Sequence, residues 1–205
     1  MKNNIHNVKN NKRIWIKSIG VFLILFPISV FLHETGHWAI YELSGVDSWI
    51  SLQKANPINP DRVTDAIFLN SLFGGPLITI LIALISYLLL RTYNNSIWLL
   101  VLGIINAAFR IIPTTFGIFR ATRTDMLGFS DEGNIALRLT DSVFLRLATM
   151  LLYITFCIIL IIRIYRTFKY PDNFKSRILL IITLCLLTVL ISMVYPFLDN
   201  LIFDL

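Results

Sequence analysis

Five long apolar runs, at 19–44, 66–90, 96–112, 143–168 and 178–198, are separated by short polar segments. Crossing a hydrocarbon core of roughly 30 Å takes a helix of about 18 or more residues, and the pattern therefore predicts five membrane-spanning helices. The third run is the shortest and the most polar. Between the first two lies a polar segment, 45–65, whose Asn56-Pro57 and Asn59-Pro60 pairs signal turns; its start, 49–52, has the composition of a short strand. Segment 113–128 is rich in Thr, Gly and Arg and reads as a loop. Ser130-Asp131-Glu132 then supplies a cap and an acidic first turn for a helix that could run on into the fourth span. The expected fold is all-α and polytopic, with a short non-helical loop between the first two helices. It divides into a polar tail (1–17), a membrane core (18–142) and two additional helices (143–205), with no internal repeat.

Composition agrees with this class. Hydrophobic residues make up 56% of the 205 and charged residues only 15%, which excludes a water-soluble globule. The formal net charge of +6 would suggest nucleic acid in a soluble protein, but here the basic residues gather between apolar runs and are better explained by membrane orientation. Eleven Lys and Arg fall on the side of the amino terminus and seven on the other. A multi-pass protein of the cell membrane with a cytoplasmic amino terminus is expected, with no nucleic-acid partner. The first run exceeds signal-peptide length and lacks a small-residue cleavage site, so it reads as a retained anchor. Cys157 and Cys185 sit deep in apolar runs, as small hydrophobes rather than a disulfide or a thiolate metal site.

The chemistry is concentrated in one helical turn. His33, Glu34, Thr35, Gly36 and His37 spell His-Glu-x-x-His within the first run. On a helix the two imidazoles project from one face about 6 Å apart, as two ligands of a tetrahedral zinc must, and Glu34 projects about 100° around from His33. The chain has three histidines; two are in this motif and His6 is in the polar tail. Ionisable groups in a bilayer cost on the order of several kcal/mol, which a bound cation offsets. Catalytic zinc normally takes a third protein ligand. Asp125, Asp131, Glu132 and Asp141 are the carboxylates near the third and fourth spans, and Asp47, Asp61 and Asp65 lie in the turn-rich loop.

Asn106 and Arg110 stand one turn apart, hence on one helix face. Asn106 could hold substrate or a developing oxyanion, and Arg110 could pair with Asp125, Glu132 or the site itself; both could equally serve helix-to-helix hydrogen bonding. Gly74-Gly75-Pro76 suits close helix packing. Pro27 could weaken the first helix as it approaches the motif, and 113–128 could line a polar cavity. From Lys17 to His33 is about 24 Å of helix, which puts the motif past the midplane, in the outer half.

The string His33 to His37 in an apolar helix resembles the signature of the site-2 proteases, the intramembrane zinc metalloproteases. Leu72-Phe73-Gly74-Gly75-Pro76-Leu77 is similar to that family's Gly-Pro segment, with Thr79 where many members have Asn. Asn106, Pro113 and a following acidic residue occur in the order of the family's later Asn, Pro and Asp, at a longer interval. Ser130 to Ala136 resembles a stretch of compact, divergent members, and this likeness selects Asp131 over Asp125 as third ligand. The resemblance spans 33–136. It implies Zn2+ held by His33, His37 and Asp131, and Glu34 as the base for a water that attacks a peptide bond of a membrane-spanning or membrane-associated substrate. The alternative is a non-enzymatic membrane binding or regulatory protein that retains a metal-binding motif. Metal-ion transport ranks lowest, since the last two runs offer few polar residues.

Overall fold

The structure is a computed structural model that describes residues 2–120, 130–170 and 174–203. Helix α1 (Lys2–Leu43) leads into an antiparallel hairpin of β1 (Ser48–Ile50) and β2 (Ala55–Pro57), then a 3-10 turn at Pro60–Arg62. The remaining elements are helices α2 (Asp65–Leu90), α3 (Ile97–Ala108), α4 (Ile111–Arg120), α5 (Asp131–Leu139), α6 (Val143–Thr167) and α7 (Phe174–Phe203). Five stretches, Lys12–Leu43, Asp65–Leu90, Ile97–Ile118, Val143–Thr167 and Phe174–Val194, are helical, apolar and long enough to cross a bilayer. The chain is an all-α, multi-pass membrane protein with a two-stranded hairpin between its first two spans.

Local chemistry sets the element ends. Gly45 closes α1 at φ 73°, with its amide on the Glu42 carbonyl and the Val46 amide on the Tyr41 carbonyl, each at 3.0 Å. This is the Schellman pattern, which favours glycine at the left-handed position, and buried Val46 and Tyr41 occupy the two positions whose apolar contact accompanies it. Thr64, Ser96 and Ser142 cap α2, α3 and α6 by accepting from the amides of Ile67, Leu99 and Leu145.

Helix α3 occupies the centre. Its Leu100, Val101, Ile104 and Ile105 are buried against Phe22, Phe26 and Val30 of α1, Ile164 of α6, and Leu180 and Leu184 of α7. The outward faces carry exposed Leu23, Ile24, Leu77, Leu81, Leu151, Leu152, Leu186 and Leu190, as expected where the solvent is lipid. Lipid tails are as apolar as leucine, so helix association depends on close packing. The tightest approach joins α1 to α2: a Cβ on Gly36 would overlap the Gly74 carbonyl, and one on Gly74 would overlap that of Gly36.

Several boundaries depart from expectation. The polar tail at 1–17 is helical from Lys2 and continuous with the first span, and α1 runs through Pro27 without interruption. The loop expected from Pro113 is helix through Arg120. Thr114 and Thr115 make this possible by donating their hydroxyls to the carbonyls of Arg110 and Ile111 at 2.6 Å, which satisfies their polarity within the helix. The rest of that segment, Asp125 included, lies outside the described residues. Helix α5 does not run into the fourth span: Thr140 is extended at φ −159°, ψ 146°, its hydroxyl accepts from the Ser142 amide at 3.1 Å, and Ser142 starts α6 anew. Helix α7 continues past the expected end at 198 to Phe203.

Candidate metal centre

Three elements converge beside the α1–α2 crossing. Helix α1 presents His33, Glu34 and His37; α2 presents the Ser71 carbonyl and the bare backbone of Gly75; α5 presents Asp131 from its first turn. Asp131 is placed by its cap, since the Ser130 hydroxyl accepts from the Gly133 amide at 3.0 Å and so fixes the first turn.

His33 Nε2 lies 3.1 Å from His37 Nε2 and 3.1 Å from Asp131 Oδ2, and His37 Nε2 lies 3.4 Å from that same oxygen. A tetrahedral ion with bonds of about 2.0–2.1 Å has ligand-to-ligand edges of about 3.3 Å, and the donor triangle fits those edges. His33, His37 and Asp131 can hold a metal ion. The tautomer of His37 agrees: Nδ1 faces the Ser71 carbonyl at 2.6 Å and must donate to it, which leaves the Nε2 lone pair pointing into the triangle. His33 Nδ1 is buried with no hydrogen-bond partner among the described residues, so only one of the two imidazoles has a second support.

Room for the imidazoles comes from a missing side chain. A Cβ on Gly75 would fall on His37 Nε2 and lie 2.7 Å from His33 Nε2. The Gly-Gly pair therefore has two functions, with Gly74 permitting helix contact and Gly75 leaving space for both rings. Phe109 packs edge-on against His33, ring centroids 5.8 Å apart, and limits its rotation.

Arg110 sits where α3 gives way to α4. Its Nε and Nη2 fork onto the Glu132 carboxylate at 3.0 and 2.9 Å, and Nη2 also reaches Asp131 Oδ2 at 2.6 Å. Arg110 and Glu132 are both buried, at 7% and 5% exposure, a situation that charged groups tolerate only when paired. Burial alone would raise the Asp131 carboxyl, but the Arg110 guanidinium and the two facing imidazoles outweigh it and hold the group well below the usual carboxylate range.

A cavity of about 420 Å³ opens onto this cluster, lined by His33, Glu34, His37, Arg110 and Asp131, by Phe68 and Leu72 of α2, and by Gln53 to Asn56 of the hairpin. At about 30 Å³ per molecule it has room for roughly a dozen waters. Glu34 lines it with 9% exposure and has no hydrogen-bond partner among the described residues. Of the residues expected at the site, His33, Glu34, His37, Arg110 and Asp131 come together. Asn106 does not line the cavity. It is buried, and its amide donates to the Ser29 hydroxyl at 3.0 Å and to the Leu102 carbonyl at 2.9 Å. Sequence reasoning did not anticipate Gln53 to Asn56, the Ser71 carbonyl or the spatial role of Gly75. Only the turn-forming Pro and Asn residues around 56–60 hinted at the first.

Compared with protein-family models, with curated proteins and with solved structures, the chain has no match.

Proposed function

We propose that this protein is a zinc-dependent peptidase that works within the membrane in the manner of the site-2 proteases. The observation that carries the reading is the donor triangle of His33, His37 and Asp131 with Glu34 beside it on one wall of a cavity large enough for water. A zinc ion at these three ligands supplies a Lewis acid that polarises the scissile carbonyl and acidifies the attacking water.

The chain's own residues do the rest. Glu34 takes the proton as the water oxygen bonds to the carbonyl carbon, then delivers it to the amine as the carbon–nitrogen bond breaks. The Ser71 carbonyl fixes the tautomer of His37. Glu132 neutralises Arg110, and Arg110 steadies Asp131 by donating to Oδ2, the oxygen that also faces the imidazoles. The substrate is a membrane-spanning or membrane-associated peptide, unwound locally because a helix hides its carbonyls in internal hydrogen bonds. Asn106 is given no part in the chemistry.

A cytoplasmic amino terminus is proposed separately, on the distribution of Lys and Arg between the loops. Of the seven Lys and Arg on the opposite side, Arg110 and Arg146 are buried, which sharpens the eleven-to-seven bias of the loops.

One observation favours a second reading. The Asp131 oxygen that faces both imidazoles also receives Arg110 at 2.6 Å, so an ion pair can hold it without metal, as in a non-enzymatic membrane protein that keeps the motif for structure. The two readings separate on Glu34→Gln. Purified protein in lipid nanodiscs, supplied with zinc and a peptide containing a membrane-spanning segment, should cleave the peptide as read by mass spectrometry. Glu34→Gln should bind zinc as the wild type does and cleave nothing; cleavage by the variant at the wild-type rate would overturn the proposed role.

A further inference from the structure

Asp199, near the end of α7, is an acidic residue with 1% exposure that the proposed chemistry does not use. Its carboxylate accepts two bonds from one short segment 147 residues earlier: Oδ2 from the Ser51 hydroxyl at 3.0 Å and Oδ1 from the Leu52 amide at 3.1 Å. That segment is the turn joining β1 to β2. The Ser51 amide donates to the Lys54 carbonyl at 2.8 Å, and the Ser51 hydroxyl accepts from the amides of Gln53 and Lys54 at 3.3 and 3.1 Å. A single hydroxyl thus shapes the turn and ties it to Asp199. Leu52 adds an apolar anchor by packing against the core cluster that includes Leu180 and Leu184 of α7.

The turn is also the wall of the candidate site. Gln53, Lys54, Ala55 and Asn56 line the same cavity as His33 and Asp131. A hairpin with three residues in each strand has little stability of its own. Its base is tied to α1, where the Ser48 amide and hydroxyl both donate to Glu42 Oε1 at 2.9 Å. The turn at its other end is tied to Asp199, a buried carboxylate whose two engaged oxygens hold it more strongly than a neutral side chain would.

We infer that Asp199 is a positioning residue: through Ser51 and Leu52 it fixes the β1–β2 turn over the candidate metal cavity, so that the last helix sets the width of the peptide-binding mouth. The consequence for peptide binding rests on the peptidase reading; the hold on the turn does not. Asn at 199 keeps an acceptor for the Leu52 amide but loses the one for the Ser51 hydroxyl, whereas Ala loses both.

Hydrogen exchange read by mass spectrometry on the full chain in nanodiscs tests the hold directly. Asp199→Ala should speed exchange in peptides covering 51–56 at least tenfold while leaving 33–37 unchanged, and Asp199→Asn should speed it about threefold. Ser51→Ala removes the bond to Asp199 together with the two that its hydroxyl accepts within the turn, so it should speed exchange at least as much as Asp199→Ala; Asp199→Asn, which keeps one of the two bonds to the turn, serves if Asp199→Ala does not fold. In the peptide-cleavage assay Asp199→Ala should raise KM severalfold and leave kcat within twofold, and Asp199→Asn should recover part of that rise. Unchanged exchange at 51–56 in folded Asp199→Ala, or in Asp199→Asn where Asp199→Ala does not fold, would overturn the inference. Loosened exchange in a wild-type background that cleaves no peptide would uphold the hold and refute the peptidase reading alone.

Discussion

Gly75→Ala isolates the geometry of the donor triangle from the stability of the fold. The added methyl would sit 2.7 Å from His33 Nε2 and closer still to His37 Nε2, where ordinary contact begins at 3.4 Å. His33 must retreat by about 0.7 Å, and His37 by more, whereas a metal site tolerates about 0.2 Å in its ligand distances. The atoms that must give way are ring atoms, not backbone, so the helices need not separate. Alanine in a helix interior is favoured over glycine by about 1 kcal/mol, which offsets part of any strain. Thermal unfolding in detergent should therefore stay near the wild-type midpoint. Zinc affinity, measured by competition with a chromogenic chelator, should fall about 10- to 100-fold, the loss typical when the support of a metal site is disturbed. Wild-type zinc affinity in a folded Gly75→Ala protein would refute the placement of both imidazoles against α2.

Other substitutions examine the surroundings. Arg110→Ala strands the buried Glu132 carboxylate and should cost about 3–5 kcal/mol, read as a large drop in thermal midpoint, with partial recovery in Arg110→Ala/Glu132→Gln. Gly36→Ala drives a methyl into the Gly74 backbone, which has no rotamer to escape into. It should destabilise by about 3 kcal/mol, far more than Gly75→Ala, and equal midpoints for the two would contradict the close crossing. Asn106→Ala loses its bonds to Ser29 and Leu102 and should cost about 1 kcal/mol while leaving turnover intact; loss of cleavage at an unchanged midpoint would return Asn106 to the chemistry.

Much of the architecture was legible because the bilayer imposes one dominant constraint. Runs of sufficient apolar length must be helices, and their number and rough placement follow from hydropathy alone. The motif on α1 was legible for the same reason, since ionisable groups in an apolar turn call for a partner. Pairing of Arg110 with Glu132 was among the alternatives because an arginine in a span needs a carboxylate.

What escaped had no local signal. The Ser71 carbonyl is backbone and carries no residue signature. Thr114 and Thr115 look like loop residues until their hydroxyls bond back into the helix. Asn106 has the residue type of an oxyanion donor, but the turn it occupies points its amide at Ser29. The tie from Asp199 to Ser51 crosses nearly three quarters of the chain, and periodicity within a helix cannot register it.

The central claim is that two imidazoles of α1 and the first carboxylate of α5 grip one divalent cation. Metal content of the purified full chain, measured by mass spectrometry for wild type, His33→Ala and Asp131→Ala, addresses it most directly. One zinc per chain in the wild type, falling close to zero in both variants, is the predicted result; no zinc in the wild type, or equal zinc in all three, would contradict it.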